Sequence, residues 1–581
     1  MKMNYNSFRV EIKNIKFVSD KGVQYPKTAI ISFLDGNKGE TGTELLGNLD
    51  VQDIYEAISE GRDINLDNCY IEDFSLSLYR KQNGMDKKEY VRLKNFSARN
   101  SFFASHIATD FSFADFGDHD ISFEGTHFAR GKVLFNNMRS GKGDFSLSGT
   151  YIRDGHIELT GAEFKEGDFD FKNAVINNGV KDFQDMVFSS GNTSFANTEF
   201  NSGDILFINT SFGEGDFSFK ISRITSGKID FHYATFGGGD VIFERVEFGD
   251  TRVDFRAVEF GDGRLNFNRS VFGNGDFTME GALFPGTKFF FKRASMGTGS
   301  KDFSLMEMRS AEASFEKTDF GSGELSFNGS AFRTLSLKSC HLDHYVDMRV
   351  SAAGTLDLSD SIVRDIIDLE PFNEGYSVDI LDLSGMRLIG KLYIDWKKNM
   401  CMEVIMNQDS TSLRQKSEQF RILKENFNVT GKYEDEDRAY LNFKRLESKS
   451  DLRDALVQKK GIAALPPYIS YAFRWLVFDA AGQYATNPIR VLFTMVVSYI
   501  VFSFIYIFMM LFCRADIIPS IDDNLSLVVK AFYHSAITFL TIGYGDHWPY
   551  GAIRWMSGIE GFIGLFLMSY FTVAFVRKII R

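Results

Sequence analysis

Four cysteines, Cys69, Cys340, Cys401 and Cys513, are scattered through 581 residues. No two stand at a metal-ligand spacing, so a zinc module is not expected and reduced, buried thiols are the simple reading. Positive charge is also short. The 65 Lys and Arg against 77 Asp and Glu leave a net charge of -12, which argues against a nucleic-acid partner gripped by a basic face. The first apolar residues alternate with charges (Phe8-Arg9-Val10-Glu11-Ile12-Lys13), unlike the apolar stretch of a secretory signal. There is no arginine-rich voltage-sensing helix, nucleotide-binding fold or helix–loop–helix calcium loop. No His, Cys or carboxylate cluster converges as a catalytic centre would. Gly237-Gly238-Gly239-Asp240 is not followed by the Lys-Ser/Thr pair of a phosphate loop. Neither an enzyme nor a bound cofactor is expected.

What the sequence has in excess is phenylalanine, 60 residues of it, and most of it is periodic. Stepping by 12 from Phe164 reaches Ile176, Phe188, Phe200, Phe212, Ile224, Phe236 and onward to Phe332, always on a large apolar residue. A second series lies seven residues after the first, from Phe171 through Phe183, Phe195 and Phe207 to Phe327. Many of these residues have an apolar or small neighbour two positions earlier, such as Ile229, Ala234, Val241 and Val246. Inward pairs at i and i−2 are a strand period interrupted by turns, and no helix face produces them. A fixed short period is the mark of a solenoid. The spacing of five then seven resembles the pentapeptide-repeat family, with two extra residues, usually a glycine turn, in place of the regular five-residue step. The resemblance implies a right-handed all-β solenoid over 65–400, here with one coil for every two periods. Residues 1–64, with two strands and a short helix at Val51–Gly61, would cap its exposed end. The Asp-rich edge (Asp216, Asp240, Asp250, Asp262) reads as solvated turns or, less simply, as a cation site.

From Asp409 the pattern becomes helical. Phe420, Leu423 and Phe427 share a face, and Gly431 ends that stretch. A second helix opens on Glu434, Asp435, Glu436 and Asp437, as suits the positive end of a helix dipole. A helical linker over 409–460 is expected. Pro466-Pro467 then breaks the chain, and 468–485, rich in aromatics but carrying Arg474 and Asp479, reads as an interfacial helix on the membrane surface.

Two apolar runs follow. Val491 to Cys513 carries no charge, and Trp555 to Val576 carries only Glu560. Each reaches the roughly 20 residues needed to cross a bilayer, giving spans at 488–513 and 555–579. Between them lie a short apolar helix and the hexapeptide Thr541-Ile542-Gly543-Tyr544-Gly545-Asp546, together 525–546. A cation leaving water needs its hydration shell replaced by oxygens, and backbone carbonyls supply them without a trapping charge. Gly543 and Gly545 can adopt conformations closed to other residues, so that successive carbonyls turn toward one axis. The negative end of the preceding helix would favour a cation there.

Span, pore helix, T-I-G-Y-G-D and second span resemble the potassium-channel pore domain, with Ile542 where the family usually has Val. The resemblance implies a homotetramer in the lipid bilayer and passive conduction of K+ ions held at Thr541, Ile542, Gly543 and Tyr544, with Gly545 completing the filter. Asp546 and Ser535 would support it. Gly564 lies where that family often has an inner-helix hinge, close packing of small residues being the alternative. Glu560 either hydrogen-bonds behind the filter or faces the cavity. Arg490, Arg577, Lys578 and Arg581 flank the spans, while the intervening loop carries Asp516, Asp522, Asp523 and Asp546. This asymmetry puts both termini in the cytoplasm, under a plasma or inner membrane. The fold class expected is therefore multidomain: a cytoplasmic β-solenoid of 12-residue period, a helical linker and an α-helical two-span pore. Gating by the solenoid is one role; a ligand or protein partner there is left open. The rival readings are a membrane-anchored scaffold and a weakly selective cation channel.

Overall fold

The computed structural model describes residues 5–19, 22–371, 377–458, 461–521 and 525–580. Asp522, Asp523, Arg581 and the end of the linker at 459–460 lie outside the described residues. The chain forms two compact units, Met1–Gln408 and Asp409–Arg581.

The first unit opens with an antiparallel sheet of Ser7–Lys13, Lys27–Leu34 and Glu40–Asn48; the third strand was not foreseen. Tyr5, Phe8 and Phe33 pack around Phe102, with Phe8 and Phe102 5.0 Å apart at their ring centres. Helix α1 (Val51–Ser59) follows, its first turn capped by the Asp50 carboxylate 3.1 Å from the Gln52 amide. The third strand then pairs in parallel with Cys69–Glu72, joining this cap to the solenoid. A short helix, α2 (Leu76–Gln82), interrupts the first coil.

Each coil carries four short strands. In one these are Phe145–Ser146, Tyr151–Ile152, Ile157–Glu158 and Glu163–Phe164. Each pairs in parallel with its counterpart two periods on, as Phe145 with Phe169, Tyr151 with Val175, Ile157 with Lys181 and Phe164 with Phe188. The two extra residues per half-coil thus leave a four-sided arrangement intact. They are absorbed at the corners, where Asn173, Asp185, Asn197 and Asn209 hold φ between 55° and 58°, a region that Asn and Asp tolerate. The two phenylalanine series face inward and stack coil on coil. Phe183, Phe207, Phe231 and Phe255 lie 4.9, 4.8 and 4.7 Å apart with ring planes within 12°.

The repeated glycines serve this stacking as much as the turns: a Cβ on Gly239 would lie 2.1 Å from the Gly215 carbonyl one coil below. The Asp edge also ties coils together. Asp216 accepts from the Asp240 amide at 2.8 Å, Asp240 from Arg264 at 3.0 Å and Asp250 from Asn274 at 2.9 Å. After Leu325 the coil first shortens, pairing Leu325 with Val346, and then lengthens, pairing Ile362 with Arg387, which is why the sequence period fades there. Helix α3 (Cys401–Met406), not expected, buries Val404 and Ile405 at the end of the last coil.

In the second unit α4 (Leu413–Val429) starts with a capping box between Ser412 and Gln415. It turns at Gly431, φ 75°, into α5 (Tyr433–Gln458). Helix α6 (Leu465–Arg474) carries Pro466 and Pro467 in its first turn. The prolines therefore begin this helix instead of breaking the chain before it, because a first-turn residue has no amide bond to lose. A π-helical turn, Trp475–Ala480, extends it. Helical residues continue to Gly482 and stop before Gln483, Tyr484 and Ala485, all left-handed at φ 49°, 54° and 62°, so the helix is shifted three residues toward the N-terminus from the expected 468–485. Helices α7 (Pro488–Phe512) and α9 (Ile553–Ile579) are the two long and apolar enough to cross a bilayer among the described residues, and α8 (Leu527–Phe539) lies between them in sequence. A small antiparallel pair, Asp516–Pro519 with His547–Tyr550, closes the loop that the sequence left featureless.

Candidate functional site

The site is built on the C-terminal end of α8. Ser526 caps the other end through the Val529 amide. At the C-terminal end the amides of Ile542 and Gly543 both donate to the Ile537 carbonyl, at 2.9 and 3.3 Å, and Thr541 donates to Thr538 at 3.0 Å. Thr541, Gly543 and Gly545 are left-handed, with φ of 52°, 57° and 77°, while Ile542 and Tyr544 are not. Alternating handedness turns successive carbonyls toward one side. Among the described residues, no hydrogen bond engages the carbonyls of Thr541, Ile542, Gly543 or Tyr544. The Gly545 carbonyl does accept one, from Ser520 Oγ at 2.9 Å. The Ile542 and Tyr544 side chains are exposed, Tyr544 at 71%.

Asp546 is held by the Tyr533 hydroxyl at 2.6 Å, with His547 Nδ1 3.4 Å away, and its carbonyl accepts from the Ser520 amide at 2.7 Å. Tyr533, Ser520 and His547 were not singled out in the sequence. Tyr533 projects from α8, while Ser520 and His547 are placed by the strand pair that brings 516–519 beside 547–550, and no local pattern announces that pairing.

Behind the loop, Glu560 is fully buried. The Tyr506 hydroxyl of α7 donates to one carboxylate oxygen at 2.5 Å and the Ser535 hydroxyl of α8 to the other, also at 2.5 Å. Ser557 extends the network, 2.9 Å from His534 Nε2. One acid from α9 thus ties all three helices at one level, which is how a carboxylate survives in an apolar span. Gly564 lies one turn on, and a Cβ there would sit 2.0 Å from the Phe539 carbonyl. Helix α9 runs unbroken through it; the geometry at Gly564 is close packing against the end of α8.

A second cluster sits at the far end of α9. Arg577 lies 3.4 Å from Glu436 and 3.0 Å from Asp437, and Lys578 lies 2.6 Å from Asp437. The acids that open α5 are therefore ion-paired as well as dipole-placed. Arg445 of α5 grips Asp479 with two bonds of 2.8 and 2.9 Å. The Tyr570 hydroxyl of α9 donates to the Phe478 carbonyl at 2.9 Å and accepts from the Ala485 amide at 2.8 Å. Helix α9, the left-handed turn before α7 and the linker helix α5 are thereby fastened to one another.

Residues 494–581 match the family described as ion channel. This segment is an ion-channel domain. Neither the curated proteins nor the solved structures give a match to the chain. The channel domain covers α8, the loop at Thr541–Asp546 and all of α9, and it begins inside α7. The β-solenoid and the linker lie outside it. The chain is accordingly a membrane protein in which an ion-channel domain follows a β-solenoid.

Proposed function

We propose that the chain is a homotetrameric, potassium-selective channel that conducts passively, with no reaction and no cofactor beyond the permeant K+ ion. The observation that carries this reading is the loop Thr541–Gly545, alternately left-handed on the C-terminal end of α8, with four carbonyls unengaged among the described residues. Carbonyl dipoles at that spacing replace the hydration shell of a monovalent cation. Two spans cannot enclose an axis, and the exposed Ile542 and Tyr544 side chains suit contacts with neighbouring copies.

Orientation follows the flanking charges, with both termini cytoplasmic and the solenoid inside the cell, at a plasma or inner membrane. Gating is assigned to the linker. Movement of α5 reaches the inner helix through Glu436 and Asp437 on Arg577 and Lys578, and through Asp479 and Tyr570. The exposed Tyr468, Ile469, Phe473 and Trp475 of the interfacial element face lipid headgroups. Replacing Phe473 and Trp475 by Ala should alter open probability and leave selectivity as it was.

The deciding experiment is the reversal potential of the purified protein in a planar bilayer under opposed potassium and sodium gradients. Reversal near the potassium equilibrium value is expected. Currents without cation preference would overturn selectivity, and a protein that never conducts would return the reading to a membrane-anchored scaffold.

A further inference from the structure

The antiparallel sheet that caps the solenoid has an open edge. Lys27–Leu34 is paired on both sides, with Ser7–Lys13 and with Glu40–Asn48, and Glu40–Asn48 pairs on its far side with Cys69–Glu72. Ser7–Lys13 has a partner strand on one side alone among the described residues. From Phe8 to Ile12 its backbone bonds go to Lys27–Leu34 and, among the described residues, nowhere else. Alternate amides and carbonyls along it therefore face outward, a row that accepts another strand laid beside it.

Edges of this kind are usually blunted by proline, by a bulge or by charge. Ser7–Lys13 contains no proline, and its pairing runs without a register shift. It does carry charge, but of alternating sign. Arg9, Glu11 and Lys13 are exposed on one face of the strand, while Phe8 and Val10 on the other pack against the core of the cap. Ile12 belongs to that apolar face and is still 47% exposed. Within the chain Glu11 has only a long contact, 3.8 Å, to Lys13 of its own strand among the described residues.

The order of these residues is self-complementary. With a second copy of Ser7–Lys13 laid antiparallel beside the first and Val10 opposite Val10, Arg9 meets the partner's Glu11 and Glu11 meets the partner's Arg9. On the other face Phe8 meets the partner's Ile12, which gives the exposed isoleucine an apolar cover. Opposite charges and apolar pairs at facing positions are what stabilise neighbouring strands. Other registers lose this match. A shift of two residues one way sets Arg9 opposite Arg9; the other way, Glu11 faces Glu11 and Arg9 faces Lys13. A slip of one residue turns the charged face of one strand onto the apolar face of the other.

We propose that Ser7–Lys13 is a docking edge for a second copy of this chain, the two strands pairing antiparallel about Val10 into one sheet that crosses both caps. The contact is two-fold, with the same patch on each side, so it joins copies in pairs and closes there. It stands apart from conduction and is read without current.

The test is covalent trapping in the full detergent-solubilised chain. Cys513 is exposed and the other three thiols are buried, so Cys513→Ser provides a quiet background. To this are added Ser7→Cys and Lys13→Cys, singly and together. In the proposed register position 7 of one copy faces position 13 of the other, whereas 7 and 7, 13 and 13, or 7 and 13 of one strand are about 20 Å apart. A short bismaleimide should link the double variant into a dimer and leave both single variants as monomers. In the double variant, Arg9→Glu or Glu11→Arg should each lower the dimer yield about fivefold, and the two together should restore it. All of these side chains are exposed, so the thermal midpoint should not move. Absence of a linked dimer in the double variant overturns the proposal. Linking of a single variant as efficient as that of the double variant does so too, since it would mean random collision or another arrangement. So does a charge swap that fails to restore the yield.

Discussion

The solenoid and the channel domain use side chains in opposite ways. In the solenoid one contact is made many times: Phe207 stacks on Phe183 and Phe231 as Phe231 stacks on Phe207 and Phe255, and no coil is indispensable to the next. In the channel domain each polar contact is made once. Glu560 alone joins Tyr506 and Ser535, and Gly564 alone admits the Phe539 carbonyl. Repetition spreads stability over the whole stack. Singular contacts concentrate function at points where the chain has no second copy of the device.

That contrast breaks most sharply at Gly543. Its φ of 57° is closed to most side chains, so Gly543→Ala should cut channel current at least tenfold while the thermal unfolding of the solenoid stays where it was. Selective current at the original level would mean that the loop tolerates the same averaging as the coils. The converse change is Phe207→Ala. It empties a fully buried ring position and should cost about 3–5 kcal/mol, read by denaturant unfolding, with the reversal potential untouched. A shifted reversal potential would show that the repeat carries filter geometry as well as stability.

Gly564→Ala sharpens the comparison within the channel domain. A methyl placed 2.0 Å from the Phe539 carbonyl must push α8 and α9 apart, at roughly 1–3 kcal/mol. Gly558, with nothing within 4 Å of its own Cβ position, provides the control. Gly558→Ala should be close to neutral in melting temperature and conductance. Were Gly564 a hinge, its Ala variant would change opening and leave melting unchanged.

The two regions were also unequally legible. A period of 12 read from Phe164 to Phe332 gives the solenoid because every coil repeats the evidence, and each residue in those two series is buried. Legibility failed where the repeat failed. Helix α2 inserts into the first coil, α3 closes the last, and the coil step drifts after Leu325, first shorter and then longer. In the channel domain the hexapeptide, both apolar spans and the short apolar helix between them are local patterns and could be read directly. Ser520 and His547 could not, because strand pairing across the loop places them, and Tyr533, though on α8, finds Asp546 only through the turn that follows the helix. The pairing of Glu436 and Asp437 with Arg577 and Lys578 spans 141 residues of chain, and the helix-dipole explanation of those acids was locally sufficient. Pro466-Pro467 misled for a different reason: a proline pair breaks a helix interior but is welcome in its first turn.

The smallest expected effect tests whether a coil also tolerates a singular residue. Lys181 occupies a core position that is Ile157 in the preceding coil and Ile205 in the next, and it is fully buried. Its Nζ donates to the Asn201 and Ser202 carbonyls at 3.3 and 3.0 Å, yet burial still lowers its pKa to about 8. Between that value and the ordinary lysine range, about 10.4, the unfolded chain holds more protons than the folded one, so stability should rise with pH across this window. Lys181→Met removes the buried charge and keeps the volume. At pH 7 it should stabilise the chain by about 1–2 kcal/mol, with the difference from the parent shrinking toward pH 10 as the parent lysine loses its proton. A variant less stable than the parent at both pH values would show that the two carbonyl bonds outweigh the desolvation. Lys181 would then be a built contact used once, and the solenoid would share the economy of the channel domain.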